Sequence, residues 1–233
     1  MKTTSFVLSL AASTYSFAET TIFDFESAVE EFTEITIDTT SVDFANPTAA
    51  FSSVQAGFNS NGVNVGAGYA KSLTENWAGL VFAQSLDSFD TYRVRAATLS
   101  TSLGSGVMGD YTYSSTSNSH TALLNAVQVL PIHERILLAP VLGAGVISNK
   151  SLATDIPIAM AQLYSVVKVT DDLSFMVTPI YTKSLRDNTI KVNTLDWETN
   201  LSYRLNGNQN LLMTVGMYEE ADNTIGVRYT YAF

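Results

Sequence analysis

Cysteine is absent from the 233 residues, so neither a disulfide framework nor a thiolate metal site can form. Charge is scarce. Asp, Glu, Lys and Arg make up 15% of the chain, against about 25% in an ordinary soluble protein. Histidine occurs only as His120 and His133, which leaves little material for imidazole chemistry. The formal charge is −10 and no basic stripe exists, which excludes nucleic acid as a partner class. Beyond the N-terminus, no apolar run approaches the roughly 20 residues of a membrane-crossing helix, so any membrane insertion must be by strands. No Gly-rich phosphate loop precedes a helix, and the carboxylates of Asp171, Asp172, Asp187, Glu219, Glu220 and Asp222 read as solvated turn residues. No cofactor and no metal are expected.

What charge there is lies unevenly. Residues 19–48 hold Glu19, Asp24, Glu26, Glu30, Glu31, Glu34, Asp38 and Asp43 and no Lys or Arg. Upstream, Met1-Lys2 gives a positive start, Phe6 to Ala12 an apolar core, and Ser16-Phe17-Ala18 a small-residue cleavage site. Residues 1–18 therefore read as a secretory signal cut before Glu19. In the acidic leader, Phe25, Val29 and Phe32 share a helical face, Ser27 with Glu30 makes a capping box, and Asn46-Pro47 breaks the chain. This leader reads either as a solvated tail with one short helix or as a plug.

From residue 49 to 233 the pattern changes to a period of two. Segments of about ten residues, the length of a tilted membrane-crossing strand, alternate with Gly, Asn, Asp, Ser and Thr clusters. They run near 50–58, 62–71, 77–86, 91–102, 106–115, 120–130, 135–147, 154–168, 173–183, 194–205, 210–220 and 224–233. That count predicts twelve strands, with ten as the competing number. In the tenth segment Leu195, Trp197, Leu201, Tyr203 and Leu205 oppose Asp196, Glu198, Asn200, Ser202 and Arg204. A charge at every second position suits a strand with lipid on one side and a polar lumen on the other. Ile136 to Ile147 and much of Ile156 to Val167 are apolar on both faces and carry no such signal. Pro140, Pro157 and Pro179 fall inside predicted strands, where each should mark a bulge, a strand end or a misplaced boundary.

The last ten residues are the most informative: Ile225, Val227, Tyr229, Tyr231 and Phe233 oppose Gly226, Arg228, Thr230 and Ala232. With the signal and the alternation over 50–233, the ending Tyr229-Thr230-Tyr231-Ala232-Phe233 resembles that of Gram-negative outer-membrane β-barrel proteins. The segments 70–77 and 169–175 are also similar to periplasmic turns of that family. The resemblance implies an all-β transmembrane antiparallel up-and-down barrel in the cell outer membrane. Its partners would be outer-membrane lipid, lipopolysaccharide, periplasmic chaperones and the barrel-assembly machinery. Tyr229, Tyr231 and Phe233 would form the assembly signal. Both ends of the barrel would be periplasmic, with short external connections at 59–61, 87–90, 116–119, 148–153, 184–193 and 221–223.

A lumen lined by Arg93, Arg95, Asp110, Asp196, Glu198, Arg204 and Arg228 follows from the alternation. The leading functional expectation is a narrow or gated, porin-like channel for small solutes. The alternative is a closed structural or assembly-partner barrel whose charges pair and fill it. An acidic plug would neutralise Arg93, Arg95, Arg204 and Arg228. A third reading, lipid hydrolysis, rests on His120 beside Ser117 and Ser119, but strand neighbours point to opposite faces, and no catalytic residue is assigned.

Overall fold

The computed structural model describes residues 42–46, 49–150, 154–186 and 191–233. The expected signal, and the leader as far as residue 41, lie outside the described residues.

Thirteen strand segments form one antiparallel sheet: β1 (Ser53–Asn59), β2 (Gly62–Thr74), β3 (Trp77–Leu86), β4 (Thr91–Ser100), β5 (Ser105–Ser114), β6 (Ser119–Gln128), β7 (Leu130–His133), β8 (Ile136–Asn149), β9 (Ile156–Lys168), β10 (Leu173–Ser184), β11 (Asn193–Asn206), β12 (Gln209–Met217) and β13 (Thr224–Ala232). Each pairs with its neighbour in sequence, except that β6 and β7 do not pair with each other. The sheet closes where β1 meets β13, with Ser53 opposite Ala232 and Asn59 opposite Gly226. β7 continues the line of β6 after a break at Val129, and both pair with β8. The molecule is therefore a closed twelve-strand up-and-down barrel. Closure removes every unpaired edge, the condition for strands to stand in lipid.

The prolines show why the strand count holds. Pro140 is not a strand end. It sits in mid-β8 opposite Gln128, where the ladder passes from β6 to β7. Pro179 faces a two-residue interruption of the β9–β10 ladder, which resumes in the same register at Ile180–Gln162. A residue without an N–H is tolerated where the ladder asks for no donor. Pro157 stands one residue inside the start of β9.

All connections among the described residues are short. The β3–β4 turn is the most constrained, because Asp87, Ser88 and Phe89 all have positive φ. β2 holds it from the side. Asn64 Oδ1 accepts from the Asp87 N–H at 2.9 Å, and Ser88 Oγ accepts from the Val63 N–H at 3.2 Å.

Register and exposure separate the two faces. Phe58, Tyr69, Val81, Val94, Leu124, Leu142, Met213 and Ile225 point outward and are exposed. This apolar outer band belongs against lipid, since a soluble monomer rarely exposes such a continuous surface. Trp77, Tyr203, Tyr229 and Phe233 lie outward at the rim where β1 begins and β13 ends. Tyr92, Tyr111, Tyr181 and Trp197 lie outward toward the other rim. Aromatic rings at both rims are the arrangement of interfacial girdles.

Candidate functional site

The lumen is built from the residues that alternate with this band. On β4, Arg93, Arg95, Ala97 and Leu99 point inward, and Asp110 stands directly opposite Arg95 on β5. The Asp110 side chain is only 4% exposed. Its Oδ1 accepts from Arg93 Nε at 2.8 Å, and its Oδ2 accepts from Arg95 Nε at 3.1 Å. Arg93 Nη2 also donates to Oδ2. One carboxylate thus holds two guanidinium groups in a charge-assisted cluster.

The other four predicted lumen charges also take inward register positions, but they divide between two places. Glu198 on β11 and Arg228 on β13 lie within electrostatic reach of this cluster: Glu198 of Arg93 and Arg228, and Arg95 of Arg228. Arg228 Nε is buried with no hydrogen-bond partner. Asp196 and Arg204 lie toward opposite rims instead. Asp196 Oδ1 accepts from the Glu219 N–H at 3.1 Å. Arg204 Nε donates to Asp172 Oδ1 at 3.0 Å. The seven therefore form a central group of five and one residue near each mouth.

Several lumen residues escaped the sequence reading. Tyr218 folds inward from the end of β12, and its hydroxyl donates to Glu198 Oε1 at 3.4 Å. Burial, with the Glu198 carboxylate beside it, pushes the phenol above its ordinary pKa, so it remains a protonated donor. Gly216 makes this possible, because a Cβ there would collide with the Tyr218 ring. The period of two, continued one step past β12, carried this signal. Gln55 and Gln84 join across the wall at 3.2 Å, and Ser202 donates to Asn210 at 2.9 Å. Gly216→Ala is expected to displace Tyr218 from Glu198 and change single-channel conductance without lowering the folded yield. Conductance identical to the parent would separate Tyr218 from the permeation path.

The remaining wall is apolar. Leu99, Val127, Ala139 and Val141 form a buried cluster, and Ile156, Ile158 and Val166 are buried on the inward face of β9. The two-faced apolarity of β8 and β9 is thereby explained, with lipid on one side and a dry stretch of lumen wall on the other. Asn125 is 1% exposed beside this cluster, with neither amide atom partnered. It lies over Gly143, where any Cβ would strike its Oδ1.

His120 points outward. Its Nδ1 lies 2.6 Å from the Tyr111 hydroxyl, and its ring stacks on Tyr113 at 4.8 Å. Ser117 and Ser119 bond each other at 2.6 Å. The imidazole is therefore engaged by tyrosines at the outer surface. His133 Nδ1 accepts from the Arg135 N–H at 3.3 Å in the β7–β8 turn. Among the described residues no three acidic or histidine side chains gather to hold a metal ion.

The plug reading falls largely on residues outside the described ones. Its described end, 42–46, lies at the mouth, where residues 42–45 border a cavity shared with Arg204, one of the four arginines named for the plug. There Asp43 Oδ2 accepts from Lys168 Nζ at 2.8 Å.

No protein-family model matches the sequence, and no curated protein matches it. Solved structures do match in shape. An outer membrane channel from Pseudomonas putida F1 superposes with a TM-score of 0.60 at 12% identity, over 82% of this chain and 98% of its own. NanC porin gives 0.54 at 10% identity and KdgM porin 0.51 at 10%, each over 78% of this chain and 98% of its own. At that identity the likeness is one of fold. With the apolar belt and closed ladder, it makes this chain a membrane-spanning twelve-strand β-barrel with the fold of those channels.

Proposed function

We propose that the barrel is a narrow channel for small polar solutes, constricted by the charged group at mid-lumen. The observation that carries this is the Arg93–Asp110–Arg95 cluster, with Glu198 and Arg228 in electrostatic reach, on the inward face of a closed wall. Charges spread around a lumen set the selectivity of a narrow aqueous path. The porin and channel names of the structural neighbours agree with it. In the central group Arg93, Arg95 and Arg228 outnumber Asp110 and Glu198 by one, which favours anions weakly. The buried apolar wedge of β8 and β9 favours the second reading, a closed structural barrel.

Conductance in planar lipid bilayers tests the two. The expected result is small, discrete steps with a mild anion preference. Arg228→Ala is expected to enlarge the steps, because it removes a bulky side chain buried in the lumen, and to reduce the anion preference. Full-length protein that stays silent at every voltage, with Arg228→Ala equally silent, would select the closed barrel. The rest of the assignment is non-catalytic. Outer-membrane lipid and lipopolysaccharide cover the belt, and Tyr229, Tyr231 and Phe233 present the assembly signal to periplasmic chaperones and the barrel-assembly machinery.

A further inference from the structure

The residues just before β1 do not run along the rim. In the closed ring β8 and β9 stand opposite β1, and the chain reaches that far wall within a few residues. Ala50 packs against the buried cluster of Leu99, Val127, Ala139 and Val141, drawn from β4, β6 and β8. Asp43 meets Lys168, the last residue of β9, at 2.8 Å. The Val42 N–H donates to the Gly207 carbonyl in the β11–β12 turn at 2.8 Å. The rings of Phe44 and Phe51 meet edge to face at 5.3 Å. Residues 42–46 and 49–51 thus cross the mouth. Between them and the wall remains a cavity of about 160 Å³, bordered by Asp43, Phe44, Lys168, Asp172, Ser202 and Arg204.

We propose that this crossing segment is a strap that gates the mouth, with the Asp43–Lys168 ion pair as its latch. The proposal rests on the channel reading above. The strap braces itself: Ala45 N–H donates to Asp43 Oδ1 at 3.1 Å and Asn46 N–H to the Asp43 carbonyl at 3.2 Å. Residues 43–46 therefore form a turn of their own at the latch. What ties Asp43 and Val42 to the barrel is slight. Both latch side chains are partly exposed, and such a pair shifts an equilibrium by no more than about fivefold. It is also screened in strong salt, where the Debye length falls to about 3 Å at 1 M. The Arg204–Asp172 pair borders the same cavity, so the latch sits among other charges. Release of the latch uncovers the mouth without disturbing any strand pairing.

The test uses the full chain in planar bilayers and exploits its lack of cysteine. In the double variant Asp43→Cys, Lys168→Cys, a thiol-reactive cross-linker of ion-pair length with a reducible centre is expected to hold the small-conductance state, and its reduction to release it. Lys168→Glu is expected to raise the open fraction up to about fivefold, and Asp43→Lys combined with Lys168→Glu to restore the parent level. Lys71→Glu, at the same rim but on the outward register, should leave it unchanged. Should a variant fail to assemble, as seen by its migration in unheated detergent gels, the parent protein still answers. Its open fraction should rise between 0.1 and 1 M KCl. Conduction that changes neither on cross-linking the double-cysteine variant, nor on charge reversal, nor with salt in the parent overturns the gate and leaves the channel standing. Silence in every variant and condition overturns the channel, and the gate with it.

Discussion

Asp110→Ala is expected to lower the free energy of unfolding by about 3 kcal/mol, the low end for removing one partner of a buried ion pair. The low end applies because Arg93 and Arg95 are each 31% exposed to the lumen, so water can reach part of what the carboxylate leaves behind. The Asp110 side chain itself is 4% exposed and accepts from both arginines. Its loss leaves Arg93 and Arg95 without their shared carboxylate, with Arg228 in electrostatic reach of Arg95. The same variant should raise anion over cation permeability several-fold, read as a reversal potential in a salt gradient. Asp110→Asn separates the two effects. It keeps the shape and one acceptor, so stability should fall less, while selectivity should move as far. Urea unfolding in lipid vesicles measures the first quantity. A change below about 0.5 kcal/mol, the scatter of an ordinary surface substitution, would show that the cluster does not hold the wall.

Leu142→Arg is expected to cost about 2–4 kcal/mol in a bilayer, because an outward residue at mid-strand meets hydrocarbon. Leu142 is 66% exposed and lies near the middle of β8. Leu73, also outward but near the β2–β3 turn at the rim, should tolerate Arg for about 0–1 kcal/mol. The contrast matters more than either value. Both leucines are exposed, so a water-soluble barrel would accept both substitutions at little cost. Only a slab of lipid makes the penalty depend on depth. Equal penalties at the two positions would contradict the placement of the belt.

How much of this was legible beforehand depends on the strand. In β4, β5, β11 and β13 one face is charged or small and the other apolar, so the sequence pattern and the inward assignments coincide at Arg93, Arg95, Asp110, Asp196, Glu198, Arg204 and Arg228. In β8 and β9 the pattern vanished, because the lumen wall there is as apolar as the lipid side. Lys168 was unreadable for that reason: it closes a strand with no polar face to mark it as inward. Tyr218 was readable by parity but lies past the end of β12, where a strand reading no longer says which way a side chain folds. For His120, adjacency in sequence suggested serine partners, whereas cross-strand neighbours in the sheet gave it Tyr111 and Tyr113.

The scarcity of charge, the two-residue period and the aromatic ending were enough to imply a barrel in lipid with a polar interior. Those are local properties: side-chain alternation follows from the pleat of a single strand. Which charges meet is not local. Arg93 and Asp110 are seventeen residues apart, and Asp43 and Lys168 are separated by 125. Such pairs depend on the order and register in which strands close the ring. Whether the lumen is open, wedged or strapped depends on how side chains from opposite walls fill a shared space. Only the closed barrel brings those walls within reach of one another.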